Sequence, residues 1–161
     1  MPSSASPNRY TIPSASRALA DLLAQHKTIR SLLRESIAIA DRIAHARDPE
    51  ALAALRAHLP IVRDTVNEHL IFEQKLLLPL LEDDLPLGPL RARKLAEEHA
   101  RQRDELAELA ACEGTPVAFE LAGRTRRLAQ EFLVDMDEEE RVLLVPEVVR
   151  NDLVNIDQTD G

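Results

Sequence analysis

The chain has 161 residues, 45% of them hydrophobic, which is enough for one domain with a substantial core. Aromatic residues make up 2%, charged residues 30% and glycines number four, a profile that favours helices and leaves little material for a sheet. A net charge of −8 argues against a nucleic-acid partner, and the lone Cys112 excludes both an intramolecular disulfide and a Cys-x-x-Cys metal site.

Residues 1–13 hold three prolines and several serines with no period, and are expected to form a disordered N-terminal tail. A helical bundle is expected over 14–150 and a polar C-terminal tail over 151–161. Ser14 or Ser16 is placed to cap the first helix, predicted from Ser16 to about Ala46. There Leu19, Leu22, Leu23, Ile29, Leu32, Leu33, Ile37 and Ile43 recur at threes and fours, with His26 inside the stripe. Asp48-Pro49 reads as an N-cap followed by proline at the first helical position. The second helix is predicted to run to about Leu81, bent or broken at Pro60.

His69 and Glu73 are four residues apart, so a helix stacks them on one side, next to Val62, Val66, Phe72 and Leu76. Residues 82–89 carry two prolines, a glycine and two aspartates and read as a turn. The third helix is predicted from about Leu90 to Ala111, with Leu95, His99, Leu106 and Leu109/Ala110 as its stripe. Glu113-Gly114-Thr115-Pro116 supplies a stop, a cap and a first-turn proline. The fourth helix is predicted from Pro116 to about Val149, with Phe119, Leu128, Phe132, Leu133, Val142 and Leu143 as core candidates. Four long helices with short turns imply an all-α, antiparallel up-down-up-down four-helix bundle, an architecture that builds metal sites from facing helices.

Each predicted helix places a metal-capable group near the middle of its apolar stripe: His26, then His69 and Glu73, then His99, then the acidic run Asp135 to Glu140. An imidazole and a carboxylate buried together cost several kcal/mol unless something satisfies them, and a shared metal ion does. One buried histidine is more often a core residue than a ligand. Three on successive helices at comparable depth point to a common ligand. His45, near a helix C-terminus, and His58, outside that layer, read as structural or solvated. Asp135 and Glu139 share a helical face, whereas Glu140 reaches that face only through a π-bulge. Asp137 and Glu138 read as solvated.

The order His26, His69-x-x-x-Glu73, His99, then an acidic pair before Leu-Leu and Pro146 resembles the hemerythrin-like, HHE cation-binding domains. The resemblance runs from Leu19 to Pro146 and includes Leu-Leu-Ala-Gln-His26, His69-Leu-Ile-Phe-Glu73-Gln and Glu-Glu-His99. It implies a non-haem di-iron centre in which His26 and His69 serve one iron and Glu73 bridges. The ligand set it suggests is His26, His69, Glu73, His99, Asp135, Glu139 and Glu140. Two positions depart from the family pattern: Arg103 and Asp135 stand where histidines are usual. Arg103 is expected to form an ion pair with Asp135 or Glu139 across the interface of the third and fourth helices, which damages the second iron position.

The resemblance thus implies one or two iron ions, with other divalent metals suited to the same donors. The implied role is binding or sensing dioxygen or nitric oxide, or handling iron, rather than enzymatic catalysis. The alternative is a metal-depleted bundle acting as a structural or protein-interaction module, which Arg103 and Asp135 favour. No stretch is apolar enough to span a bilayer, and no signal-peptide core opens the chain. The expectation is a cytoplasmic protein with neither a membrane nor a nucleic-acid partner.

Overall fold

Four helices follow the apolar periods of the sequence: α1 (Ala15–Ala46), α2 (Pro49–Asp84), α3 (Gly88–Ala110) and α4 (Ala118–Val142). The computed structural model describes residues 15–46, 48–84, 88–112, 118–145 and 148–149. The tails, Ser14, the 113–117 connection and Pro146 lie outside the described residues.

Asp48 caps α2 as its sequence suggests: Oδ1 accepts the backbone N–H groups of Glu50 at 2.9 Å and Ala51 at 3.3 Å. Of the bend or break expected at Pro60, the break does not occur: α2 runs on through both Pro60 and Pro79. Each proline removes one backbone hydrogen bond. Burial of Leu55, Leu59, Val62 and Val66 on either side of Pro60 holds the helical path.

The fourth helix ends earlier than its sequence suggests, at Val142 instead of about Val149. The N–H groups of Leu143 and Leu144 both donate to the Glu139 carbonyl at 2.8 Å, a widened last turn. The chain then turns so that Leu144 and Val149, each 4% exposed, cover the end of the bundle.

Pairings across the helices show the alternating directions. His26 meets His69 and Leu32 meets His58, so α1 and α2 are antiparallel. Arg30 reaches Asp137 while Asp41 meets Arg126, so α1 and α4 are antiparallel. Gln102 meets Asp135 while Glu108 meets Arg124, so α3 and α4 are antiparallel too. The helices form an antiparallel four-helix bundle. Packing is dense between α1 and α2, α2 and α3, and α1 and α4, and sparse between α3 and α4.

The apolar interior falls into two clusters. The larger includes Ile29, Val66, Leu70, Leu106, Phe132 and Met136. The smaller holds Leu22, Leu77, Ala92, Leu144 and Val149. Leu22 and Ile29 bracket His26 on α1, and Leu70 and Leu77 bracket Glu73 on α2, so a polar layer divides the two clusters. Three expected core residues instead stay exposed: Leu23 at 39%, Phe119 at 44% and Val142 at 41%. Among the described residues no helix is long and apolar enough to cross a membrane.

Candidate metal centre

The polar layer gathers His26, His69, Glu73 and His99, all at most 4% exposed. α1 carries His26 and α2 carries His69 and Glu73 one turn apart. The two imidazoles meet edge to face, with His26 Nε2 and His69 Nε2 3.2 Å apart. Their other nitrogens are already engaged. His26 Nδ1 lies 2.9 Å from Glu140 Oε1, and His69 Nδ1 lies 2.9 Å from Gln25 Oε1. Both acceptors are oxygens, so each Nδ1 carries the proton. That tautomer turns two Nε2 lone pairs toward each other, an arrangement that calls for a cation between or beside them.

The carboxylates complete this geometry. Glu73 Oε2 is 3.5 Å from His69 Nε2 and 3.5 Å from His99 Nε2. Among the described residues no N–H or hydroxyl donor lies within hydrogen-bonding geometry of either oxygen of Glu73, and the neighbouring Glu139 carboxyl can share a proton with it. Glu139 Oε2 lies 3.6 Å from His26 Nε2. Donor atoms of His26, His69, Glu73 and Glu139 all lie within 4.8 Å of one another. Two donors on one ion at roughly 2.1 Å each are at most about 4.2 Å apart. A small inward movement therefore brings the four onto a single ion.

Burial sets the electrostatics. It pushes His69 down to about 3, helped by His26 and His99, and His99 down to about 4, helped by Arg103. His26 is lowered for the same reason, against the pull of Glu140. These imidazoles are neutral at pH 7 and offer lone pairs. Burial raises Glu73 to about 7; it raises Glu139 further, because Glu73 and Asp135 oppose a third negative charge beside them. A cation reverses both shifts.

Glu140 points away from the donor group. α4 is an uninterrupted α-helix from 118 to 142, with no π-bulge between Asp135 and Glu140. Glu139 therefore faces His26 Nε2, and Glu140, about 100° further round, stands behind Nδ1. Burial works against its charge, but Arg30 and His26 together hold its carboxyl below the usual range. Arg30 also bonds Asp137, which ties part of the acidic run to α1.

The pairing expected of Arg103 with Asp135 or Glu139 is not formed with either. Asp135 Oδ2 accepts a bond from Gln102 Nε2 at 2.7 Å, and Arg103 Nη1 reaches Gln74 Oε1 on α2 at 3.5 Å. One helical residue separates the two partners: 102 turns toward α4 and 103 toward α2. Gln102 is 2% exposed and falls three after His99, a spacing that marks it in the sequence. Gln25 and Arg30 join the site without having been among its expected residues. Arg30 lies four after His26, opposite the acidic run, which is the signal that finds it.

The structure places the two other histidines outside the layer. His58 Nε2 donates to the Leu32 carbonyl at 3.0 Å, and the exposed His45 bonds the Asp41 carbonyl at 2.8 Å.

The family model of the hemerythrin HHE cation-binding domain matches residues 17–145. The chain belongs to that family. No curated protein and no solved structure matches it. As a hemerythrin-like metal-binding protein, the chain has residues that fit a cation. The fit rests on the facing Nε2 lone pairs, the donorless buried carboxylate and two negative charges that match one dication. Among the described residues His99 Nδ1 has no hydrogen-bond partner either.

Proposed function

We propose that this hemerythrin-like protein holds non-haem iron in its bundle core and uses it to bind or sense a diatomic ligand, dioxygen or nitric oxide. The observation that carries metal binding is the pair of Nε2 atoms at 3.2 Å, with an oxygen acceptor beside the far nitrogen of each imidazole. Mixed imidazole and carboxylate donors suit iron, and manganese or zinc suit them as well. Iron so held supplies redox chemistry and open coordination positions.

The chain's own residues provide the rest. Glu140 and Gln25 orient the rings of His26 and His69, and the two apolar clusters close the layer on either side along the bundle. The sparse α3–α4 contact leaves a groove of about 550 Å3, lined in part by His99, Gln102, Asp135 and Glu139, which supports access for a small ligand. No nucleophile with a paired base is present among the residues of the layer, which supports binding or sensing over catalysis. The acidic, single-cysteine composition supports a cytoplasmic setting.

Protein purified from iron-supplemented cells, analysed for metal and followed by absorption spectroscopy before and after dioxygen or nitric oxide, tests the reading. Bound iron with a ligand-dependent spectrum is expected, and His69→Ala should lose most of the metal. Iron-free wild-type protein that also fails to take up iron or zinc would favour the scaffold alternative.

A further inference from the structure

The layer has two unequal halves. On one side His26, His69, Glu73 and Glu139 converge, and among the described residues no other group of three or more His, Cys, Asp or Glu donors gathers as tightly. On the other side stand His99, Gln102 and Asp135. There Asp135 is already engaged by Gln102 at 2.7 Å, and an amide is a weak replacement for a charged ligand. Arg103, a permanent cation, lies close enough to His99 to oppose a second positive charge there.

Charge counting points the same way. Glu73 and Glu139 neutralise one dication. On that side Glu98 is already paired with Arg101, which leaves Asp135 to meet a second dication, and Arg103 offsets that charge. Adding the ion would leave about two uncompensated positive charges next to a core where burial of charge is expensive. The enclosed part of this half is small, and the α3–α4 groove opens outside it. A cavity of about 10 Å3 lies beside Glu73, between Gln102, Asp135 and Glu139. That is close to the least volume that holds a water-sized particle.

We propose that the centre is mononuclear: one divalent ion held by His26, His69, Glu73 and Glu139, with the Gln102–Asp135 pair standing in place of a second ion as the polar wall of the α3–α4 groove. This rests on the metal-binding reading above and makes it more specific. A small ligand arriving through the groove meets the Gln102 amide and the His99 ring before it meets the ion.

The test is metal per chain. Metal-free protein is titrated anaerobically with ferrous iron, and separately with zinc, then desalted and analysed by mass spectrometry of the elements. Wild type should saturate at one ion. Asp135→Asn should also hold one ion, with affinity within a few-fold of wild type. Glu139→Gln should bind at least tenfold more weakly. Two ions per wild-type chain would overturn the mononuclear assignment and leave metal binding intact. So would a single ion that Asp135→Asn loses and Glu139→Gln keeps. No ion at all would overturn both the assignment and the metal-binding reading.

Discussion

Glu73→Gln should have opposite effects on stability and on metal binding. Glu73 is fully buried, no donor faces its oxygens, and burial raises its carboxyl to about 7 against an ordinary 4.5. Above pH 7 the metal-free fold must hold a buried carboxylate that the unfolded chain holds in water. A shift of about 2.5 pH units corresponds to about 3 kcal/mol of lost stability. Glutamine removes the charge at nearly constant volume. Its amide can donate to the Nε2 of His69 or His99, each 3.5 Å from Glu73 Oε2.

Metal-free Glu73→Gln should therefore melt higher than metal-free wild type at pH 8, by roughly 6–12 °C for a domain of this size. Near pH 4 both side chains are neutral and the difference should vanish. Metal affinity should fall by more than the roughly 10–100-fold that loss of an outer-shell partner costs. Calorimetric melting at the two pH values, with zinc titration of each protein, checks both halves. A variant that melts lower than wild type at pH 8, or that binds zinc as tightly, would refute the reasoning.

The metal-free protein should be most stable between about pH 4.5 and 6.5. Below 6.5 the unfolded chain takes up protons that His69 and His99 refuse in the fold, so stability falls as pH drops toward 3. Above 4.5 the unfolded chain releases protons that Glu73 and Glu139 keep, so stability falls as pH rises. Bound metal should release those protons and move the optimum upward, and a melting temperature of metal-free protein that climbs steadily to pH 8 contradicts this. Arg30→Met should weaken metal binding about tenfold by releasing Glu140 from its place behind His26, as zinc titration would show. Leu55→Ala, in the larger apolar cluster, should cost about 2–5 kcal/mol in denaturant unfolding and leave metal per chain unchanged.

The bundle is legible in the sequence because its helices are long, regularly striped and separated by proline and glycine signals. The polar layer is legible for a related reason. His26, His69, Glu73 and His99 interrupt stripes that are otherwise apolar, and the structure brings them together. Rotations of a single residue are less accessible. Gln102 and Arg103 differ by one step around α3, and only packing against α2 and α4 decides which meets Asp135. Glu139 and Glu140 differ in the same way around α4. The early end of α4 is likewise a tertiary choice, since Leu144 and Val149 leave the helical path to seal the smaller cluster. Propensity along the chain does not encode that cost and gain.

Anomalous diffraction from crystals of the protein loaded with iron locates the ion directly. With data recorded on both sides of the iron absorption edge, one difference peak per chain is expected, within bonding distance of His26 Nε2, His69 Nε2 and carboxylate oxygens of Glu73 and Glu139. A peak elsewhere in the bundle, or none in protein that is shown to contain iron, would contradict the assignment of this layer as the metal centre.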